Sequence, residues 1–416
     1  QSKIIAIDIE TSSNGTLLDI GCYSENHYET FDNWQSFFNC LLTYKGNIRV
    51  IAHNGFGFDY IGFAQWFLKN RKHYNIPDED VTFLSSESLM IGMIINTEMS
   101  NIVFLDTMRF FPATSLQKLA ESFLGEGKDE VPNDYISRME DYKSEFPNEY
   151  YAYLRKDCEI LYRIYVEFRK EINEFTASGE LGMSSGSTAM KSFRRWLSTD
   201  YPKTRIFACP EEYLSLADHA LRGGLTLYIG DGKHEQHLYE NVNHYDVISM
   251  YPSVMRSVPT PSSPMLYTQE KIKDFDSYRP GFYLCNFAQL RGRVPILYTL
   301  DSDNPQWNGQ GVLSHFDLQF LDLFGEYQII DGVVFDDYIF PFKGYFDSLL
   351  DLRMNAKREG LSAKSHALKI LANSLYGKFG QRALREIIAI TSDKDYYASL
   401  LEAQLHDAND SGVTEY

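Results

Sequence analysis

The sequence predicts an α/β domain followed by a mixed α+β part, and three observations over its 416 residues lead to this prediction. Apolar strand-like runs alternate with helix-like segments over residues 1–176, which is typical of an α/β domain. A stretch at 177–188 is rich in Gly and Ser and has the composition of a linker. Residues 258–340 are rich in aromatics, Gly and Pro, which indicates short strands and loops, and a helical pattern follows at 345–379.

Each element of the first part rests on a local pattern. The predicted elements are a buried strand at 4–9, a strand ending at 51–53, a helix from about 60, a strand at 102–105, a helix at 116–124 and a long helix at about 150–171. Thr114 or Ser115 is the expected cap of the shorter late helix and Gly125 its expected end. Pro147 is placed to begin the long helix.

The second part offers weaker patterns. Residues 242–247 predict a short strand that leads into a turn at Pro252. The helical pattern at 345–379 is expected to be interrupted near Gly360, because glycine weakens a helix interior.

Composition and charge limit the classes of function. Lys and Arg number 39 against 57 Asp and Glu, and a net charge of −18 by itself argues against a nucleic-acid partner. Residues 353–385, however, carry eight basic residues and one acidic residue, so this strip alone could bind a polyanion. Five scattered cysteines without a CxxC pair predict neither a disulfide framework nor a zinc site, and they favour a reducing compartment. No apolar run predicts a membrane span.

The first candidate site begins with two carboxylates at the end of the first predicted strand. Asp8 and Glu10 are two residues apart, so they share one face of that strand. Two neighbouring carboxylates repel unless a cation lies between them, and the preceding run is almost wholly apolar. The pair therefore predicts a metal site, whereas the alternative is the exposed polar face of a strand.

Two further segments carry carboxylates. The stretch 53–59 combines two glycines with Asn54, Phe58 and Asp59, although alone it could equally be a structured turn with an Asp cap. Tyr153 and Asp157 are four apart on the predicted long helix and therefore point to the same side. Alone, this second pair is more often packing than chemistry.

Taken together, Asp-x-Glu, Asn-x3-Phe-Asp and Tyr-x3-Asp in this order resemble the motifs of 3′–5′ exonucleases of the RNase H-like fold. The resemblance implies two divalent cations, Mg²⁺ or Mn²⁺, bound by four carboxylates, namely Asp8, Glu10, Asp59 and Asp157. It also implies that Tyr153 orients the attacking water. Thr11, Asn54 and Phe58 are the implied contacts to single-stranded DNA, with Phe58 stacking on a base.

A second candidate site combines a Pro-containing segment with a basic helix. Asp246, Ser249, Tyr251 and Pro252 follow the short predicted strand, and an ordinary strand and turn is the alternative. Lys369, Asn373 and Tyr376 fall at i, i+4 and i+7 of a helical pattern and share one face. An amphipathic core helix with a Gly stop is the alternative there, and it leaves these three polar residues unexplained.

These segments resemble motif A (D-x2-S-x-Y-P) and motif B (K-x3-N-S-x-Y-G) of the family B DNA polymerases. The resemblance implies that Asp246 and the carbonyl of Val247 bind the metals of a polymerase site and that Tyr251 excludes a 2′-hydroxyl. Nucleotide-binding roles are implied for Lys357, Lys369, Asn373 and Tyr376, and a DNA contact for Lys378.

Shorter segments are similar to motifs of the protein-primed branch of this family, found in phages and linear plasmids. Arg222, Gly223 and Gly224 resemble its Y-x-G-G motif, with Leu in place of Tyr, and imply DNA contacts. Thr107 begins a segment like its (S/T)-L-x2-hydrophobic motif and implies a DNA contact. Lys128 begins a segment like its K-x2-hydrophobic motif and implies a catalytic residue. The branch implies primer–template DNA, deoxynucleoside triphosphates and a terminal (priming) protein as partners.

The implied fold is an RNase H-like α/β exonuclease domain followed by an α+β polymerase palm with a terminal-protein-region insertion and helical fingers. The expected divisions are an exonuclease domain at 1–178, a linker at 179–190, the palm with motif A at 191–257, the insertion at 258–335, palm and fingers helices with motif B at 336–385, and the start of a second terminal-protein region at 386–416. The implied location is cytoplasmic or another reducing compartment, a mitochondrion included.

One departure from the family separates three hypotheses. No Y-x-D-T-D segment, the family's motif C, follows residue 380, so a polymerase site would lack its second aspartate. We therefore expect a polymerase truncated before motif C, with only the exonuclease competent. A stand-alone metal-dependent exonuclease with a DNA-binding platform, or a non-enzymatic module that binds a priming protein, are the alternatives.

Overall fold

The computed structural model describes residues 2–86, 89–111, 114–173, 181–200, 214–220, 224–226, 242–247, 249–263, 273–274 and 277–379. The chain forms two compact units. One comprises Gln1–Arg195 and the chain from Leu349 onward, and the other comprises Trp196–Ser348. None of the helices in these described ranges is long and apolar enough to cross a bilayer.

A seven-stranded mixed sheet is the centre of the first unit. Its strands are β1 (Lys3–Thr11), β2 (Leu17–Ser24), β3 (His27–Phe31), β4 (Gly46–Ala52), β5 (Val81–Ser86), β6 (Leu89–Asn96) and β7 (Ser100–Asp106). Their order across the sheet is β3-β2-β1-β4-β7-β6-β5. β4 is parallel to both β1 and β7, and the other neighbours are antiparallel. The carboxyl ends of β1, β4 and β7 therefore lie at the same edge of the sheet.

Helices cover the sheet on both faces. Those of the first part of the chain are α1 (Trp34–Leu42), α2 (Asp59–Asn70), α3 (Leu116–Leu124), α4 (Met139–Glu145), α5 (Pro147–Ile172) and α6 (Ser185–Asp200). Successive side chains of β1 point to opposite faces of the sheet, so odd-numbered and even-numbered residues contact different helices. Ile5 and Ile7 belong to the core that holds Phe37 of α1 and Phe63 of α2. The even-numbered residues of β1 face α5.

The predicted strands at 4–9 and 102–105 and the predicted helices at 116–124 and 150–171 are confirmed. Ser115 caps α3 by accepting the backbone N–H of Lys118 at 3.4 Å, and Gly125 ends it with a φ of 71°. The hairpins β2–β3 and β5–β6 and helix α1 were not predicted. Their residues mix apolar and polar types without a clear period, so tertiary pairing decides their structure.

The predicted linker is wrong in its second half, because residues 185–190 belong to α6. Ser184 explains the helix start, since its side chain and carbonyl accept the N–H groups of Ser187 and Thr188. Thr188 is fully buried, and its hydroxyl accepts the N–H of Gly182 at 2.9 Å. Ser-rich composition marks a helix N-terminus here, as it does at many helix caps.

The second unit is built on a three-stranded antiparallel sheet, in the order β14-β11-β15. Its strands are β8 (Thr260–Pro261), β9 (Lys273–Asp274), β10 (Ser277–Tyr278), β11 (Gly281–Gln289), β12 (Leu297–Tyr298), β13 (Pro305–Gln306), β14 (Asn308–Ser314), β15 (Gly325–Val334) and β16 (Tyr338–Ile339). Its helices are α7 (Leu214–Ala220), α8 (Met250–Met255) and α9 (His315–Phe324). Leu318 and Leu321 of α9 pack on Tyr283 and Phe287 of β11.

Two predictions in this unit are wrong. Residues 242–247 form no strand; all six are exposed, and no described strand pairs with them. Pro252 lies in α8 rather than in a turn, at the helix start where its missing N–H costs nothing.

The chain returns to the first unit through helices α10 (Pro341–Arg358), α11 (Ser362–Ser374) and α12 (Tyr376–Phe379). The predicted interruption near Gly360 is confirmed, and this glycine has a φ of 73°. Helix α11 packs on α3 and α5. His366 of α11 lies 2.8 Å from the Ser122 hydroxyl through Nδ1 and packs against the ring of Phe123.

Candidate active site

Four carboxylates meet where β1 ends, between α2 and α5. Asp8 and Glu10 are half-buried on the face of β1 that points to α5, whereas Asp59 and Asp157 are buried. Asp59 is the first residue of α2, and its Oδ1 accepts the N–H of Ile9 at 3.2 Å. Asp157 lies on the middle turns of α5. The predicted gathering of these residues is therefore seen in the structure.

Burial raises the pKa of all four carboxyls, and the charges of neighbouring cluster members raise it further at Asp8 and Glu10. Burial is the largest cause of the raised pKa of Asp8, followed by the charges of Asp59, Asp157 and Glu10. Burial and then the charge of Asp157 raise the pKa of Glu10 to about 8. Burial raises the pKa of Asp59 to about 7. The site therefore holds more negative charge than its own surroundings stabilise.

Lys128 is the cation that the chain itself brings to this cluster. Its ammonium donates to Oδ2 of Asp157 at 2.6 Å and to the Tyr153 hydroxyl at 3.5 Å. Burial still raises the pKa of Asp157, with the charge of Lys128 acting in the opposite direction. Tyr153 and Asp157 point to the same side of α5, as their spacing predicts.

The residues fit a divalent cation in charge and in donor chemistry. Oδ1 of Asp157 is buried without a hydrogen-bond partner, which is the condition of an oxygen ready to bind a metal. Carboxylate oxygens suit Mg²⁺ or Mn²⁺. Over the described ranges, however, no three Asp, Glu, His or Cys side chains are placed as a formed metal site. Binding an ion here would thus require side-chain rotation.

The loop between β4 and α2 presents Asn54 and Phe58 to solvent. Asn54 has a φ of 66°, and Phe58 is 49% exposed just before α2. The glycines keep the loop tight: a Cβ on Gly55 would lie 2.5 Å from the Tyr60 ring, and one on Gly57 would lie 2.3 Å from Asn54 Oδ1. An exposed aromatic side chain on a rigid loop can stack on a base.

Thr107 is not exposed. Its hydroxyl lies 2.9 Å from Nδ1 of His53 and 3.2 Å from the carbonyl of Ala52, and the residue is fully buried. This position favours support of the loop at 53–59 over the direct DNA contact that the sequence predicts. Thr11 is half-buried at the end of β1, where the register with β2 shifts.

Two residues of this site were missed by sequence reasoning. Asp106, at the end of β7, is buried and accepts backbone N–H groups of the loop after β4. Gly21 pairs with Asp8 across β1 and β2, and a Cβ there would lie 2.8 Å from Sγ of Cys158 and 2.9 Å from Cγ of Leu154. An acidic residue that ends an apolar strand was a usable signal for Asp106. Gly21 had no local signal.

The residues of motif A lie in the second unit. Asp246 and Val247 are exposed and outside regular secondary structure. Tyr251 is 41% exposed in the first turn of α8, and Ser249 before it has a φ of 52°. Gly224 is exposed in a non-regular segment, whereas Arg222 and Gly223 lie outside the described residues.

The residues of motif B lie on the solvent side of the helices that pack on α3 and α5. Lys369 and Asn373 are exposed on α11, and Tyr376 is exposed at the start of α12, so the predicted single helix carries only the first two. Leu368 and Leu371 are buried on the opposite side of α11. The apolar residues of α11 therefore form its packed face, and the polar residues lie on its solvent-exposed face. Two other predicted contact residues lie nearby in the sequence, Lys357 exposed on α10 and Lys378 half-buried on α12.

Comparison with known proteins identifies the family. Residues 128–415 match the sequence model of DNA polymerase type B, organellar and viral. The chain belongs to this family. The prediction made from motifs A and B is thereby confirmed.

Curated relatives carry the same description. The chain is 27% identical over 256 residues to a DNA polymerase of Bacillus phage Nf, covering 56% of this chain and 41% of the phage protein. It is 24% identical over 449 aligned positions to a probable DNA polymerase of Neurospora intermedia, covering 92% of this chain and 43% of that protein. The chain thus spans about two fifths of the length of these relatives.

Solved structures share the fold. The phi29 DNA polymerase complexed with primer–template DNA matches with a TM-score of 0.69 at 19% identity, over 92% of this chain and 68% of that one. An orthorhombic crystal form of the same polymerase matches with a TM-score of 0.66. At this level the predicted polymerase fold, built from both sheets and helices, is confirmed.

Proposed function

We propose that this chain is the exonuclease-bearing part of a DNA-directed DNA polymerase of the protein-primed type, acting on a linear viral or plasmid DNA. The observation that carries the proposal is the cluster of Asp8, Glu10, Asp59 and Asp157 at the carboxyl edge of the sheet, in a chain of the type B polymerase family. Family membership supports the polymerase, and the cluster supports the 3′–5′ exonuclease.

The exonuclease would work through the chain's four carboxylates. Asp8, Glu10, Asp59 and Asp157 would hold two Mg²⁺ or Mn²⁺ ions, which when bound supply an activated water and charge neutralisation for the departing 3′-oxygen. The raised pKa values of these carboxyls and the unpaired Oδ1 of Asp157 support this assignment, because both are relieved by a nearby cation.

Lys128 and Tyr153 would assist at the same site. The Tyr153 hydroxyl lies on the Asp157 side of α5 and would orient the attacking water. Lys128 would keep Asp157 ionised and in place, as its 2.6 Å contact supports. Asn54 and the exposed Phe58 ring would hold the terminal nucleotides, with Thr11 beside them at the end of β1.

The polymerase residues would act in the longer protein. Lys369 would bind nucleotide phosphates, with Asn373 and Tyr376 beside the nascent base pair, and the exposure of all three residues supports this. Lys357 would assist with the phosphates. Four further residues would contact DNA, namely Arg222, Gly223, Gly224 and Lys378.

Motif A would supply the metal-binding and sugar-selecting residues of the polymerase reaction. Asp246 and the carbonyl of Val247 would bind the polymerase metals, and Tyr251 would exclude a ribose 2′-hydroxyl. The second unit, which contains the predicted insertion at 258–335, would bind the priming protein. Its separate three-stranded sheet and its own core support an inserted module.

One experiment tests the exonuclease and the polymerase together. The chain is mixed with a 5′-labelled primer–template, Mg²⁺ and deoxynucleotides, and the products are separated on a gel. We expect a shortened primer without extension. A lengthened primer would contradict the expected lack of a second polymerase aspartate, and an unchanged primer would contradict the exonuclease.

A pair of double variants assigns the activity to the site. Asp8→Ala with Glu10→Ala should abolish degradation of single-stranded DNA. Asp301→Ala with Asp303→Ala removes two exposed carboxylates at the same spacing in the second unit and should leave degradation unchanged. Loss of degradation in both double variants, or in neither of them, would refute the assignment.

A further inference from the structure

A buried carboxylate outside the four-carboxylate cluster joins two separate segments of the site. Asp106 ends β7 and is 2% exposed. Its Oδ1 accepts the backbone N–H of Asn54 at 3.0 Å and that of Met108 at 2.9 Å. Its Oδ2 accepts the N–H of Phe56 at 3.3 Å. One side chain therefore ties the loop after β4 to the turn after β7.

The loop needs such a tie because its conformation is costly. Asn54 has a φ of 66°, in the left-handed region that non-glycine residues rarely adopt. The hydrogen bonds from Asn54 and Phe56 to Asp106 lie on either side of Gly55, where a Cβ would lie 2.5 Å from the Tyr60 ring. Charge-assisted bonds to backbone N–H groups are among the stronger ones in proteins. Without them, relaxation of Asn54 would redirect its side chain.

We infer that Asp106 is a positioning residue for the single-stranded DNA terminus. It acts by holding Asn54 and, through the same loop, Phe58 in the orientation that grips the last nucleotides. This inference rests on the proposed exonuclease function. It assigns no contact with DNA or metal to Asp106 itself.

Three substitutions of Asp106 distinguish its hydrogen bonds to the loop after β4 from its hydrogen bond to the turn after β7. Asp106→Asn keeps an Oδ1 acceptor for Asn54 and Met108 but places an amide donor opposite the N–H of Phe56. Asp106→Ser can still cap the turn through Met108 but cannot reach the loop. Asp106→Ala removes every bond. The loop is thus progressively released while the side chains of the four carboxylates are all kept.

The first readout is binding of a short 5′-fluorescein-labelled oligothymidylate in EDTA, followed by anisotropy. We expect Kd to rise about tenfold for Asp106→Ala and Asp106→Ser and about threefold for Asp106→Asn, as expected for lost pre-organisation of the loop. The second readout is degradation of the same oligonucleotide in Mg²⁺. There, KM should rise in parallel, while the Mg²⁺ concentration that gives half the maximal rate stays within about twofold.

Ser100→Ala is the matched control, because Ser100 is a buried polar residue at the other end of β7, bonded to the Tyr44 carbonyl. Ser100→Ala should lower Tm without changing Kd or KM.

An unchanged Kd in folded Asp106→Ala overturns the inference. If that variant does not fold, an unchanged Kd in Asp106→Asn overturns it instead. A wild-type chain that binds the oligonucleotide but does not degrade it would contradict the proposed function, and the Kd series would still decide the role of Asp106.

Discussion

Lys128 holds one oxygen of Asp157 at 2.6 Å and leaves the other, Oδ1, buried without a hydrogen-bond partner. The charge of Lys128 therefore offsets part of the negative charge of the Asp157 carboxylate. The Lys128 side chain is 26% exposed, so its charge is partly screened by water. An arrangement of this kind keeps Asp157 ionised while one oxygen stays open for a cation.

The first prediction concerns the stability that Lys128 confers. Lys128→Met should destabilise the metal-free chain by about 1–3 kcal/mol, because it leaves a buried carboxylate without its partner. Saturating Mg²⁺ should reduce this loss, because a cation replaces the missing charge. Thermal unfolding of both proteins in EDTA and in Mg²⁺ measures the difference.

Lys170→Met is the matched control, on the helix that carries Asp157. Lys170 forms an exposed pair with Glu167, so its removal should leave Tm unchanged in either buffer. If Lys128→Met loses the same stability with Mg²⁺ as without it, the cation and the lysine do not act on the same carboxylate.

The second prediction is that Mg²⁺ stabilises the chain more as the pH rises. A carboxyl with a raised pKa in the folded chain contributes stability while protonated, and this contribution is lost as the pH approaches that pKa, about 7 for Asp59 and about 8 for Glu10. Protons and cations compete for the same oxygens. The metal-free chain should therefore weaken between pH 5 and 8, and Mg²⁺ should restore its stability.

Thermal shifts at pH 5.5 and pH 8 measure this coupling. The increase in Tm on adding Mg²⁺ should be several times larger at pH 8. The double variant Glu10→Gln with Asp59→Asn should show a small increase at both values, because its amides do not titrate. A wild-type increase that does not change with pH would contradict the proposed metal site.

How far the sequence predicts this site depends on whether the signal is local. Asp8 and Glu10 are predictable because their spacing places them on one strand face after an apolar run. The contact of Lys128 with Asp157 joins residues 29 apart, and only the resemblance to a family pointed to it. Asp106 ends an apolar strand, which is a usable local signal, but its bonds to Asn54 and Phe56 span 52 and 50 residues and have none. Gly21 has no local signal.

The same limit applies to the fold. Helix α3 was predictable to the residue because Ser115 and Gly125 are local start and stop signals. Residues 242–247 have a strand-like pattern but no described partner strand, and a β pattern is decided by its partners. Helix α11 was predictable as a helix, while its docking on α3 through His366 and Ser122 was not.

The third prediction concerns the closeness of α5 to the sheet beside Asp8. Gly21→Ala should push α5 outward, because the new Cβ would meet Cys158 and Leu154 at less than 3 Å. Asp157 would move away from Asp8, and we expect degradation of single-stranded DNA to slow by at least about tenfold. Steady-state rates at saturating DNA and Mg²⁺ measure the loss.

A compensating variant tests the cause. Cys158→Ala removes the sulfur that the added methyl group would strike, so Gly21→Ala with Cys158→Ala should recover part of the rate. The buried Cys158 thiol interacts with the backbone of Asp8 but contributes neither a metal ligand nor a charge, so Cys158→Ala alone should stay near the wild-type rate. A double variant as slow as Gly21→Ala would show that the spacing of α5 is not the cause.

The last prediction concerns the open face of α11 and is tested by primer extension with a polymerase that contains this chain. Lys369→Ala should raise the deoxynucleotide concentration for half-maximal primer extension by about tenfold, because an exposed ammonium that binds the phosphates is lost. Lys364→Ala is the matched control: it lies on the same helix, but its charge acts on Glu171 of α5, and its effect should stay within about twofold. Because the two lysines carry the same charge, a general loss of DNA attraction would affect both variants equally. Equal effects would therefore remove Lys369 from the nucleotide site, whereas a selective rise would place the phosphates on the face that also presents Asn373.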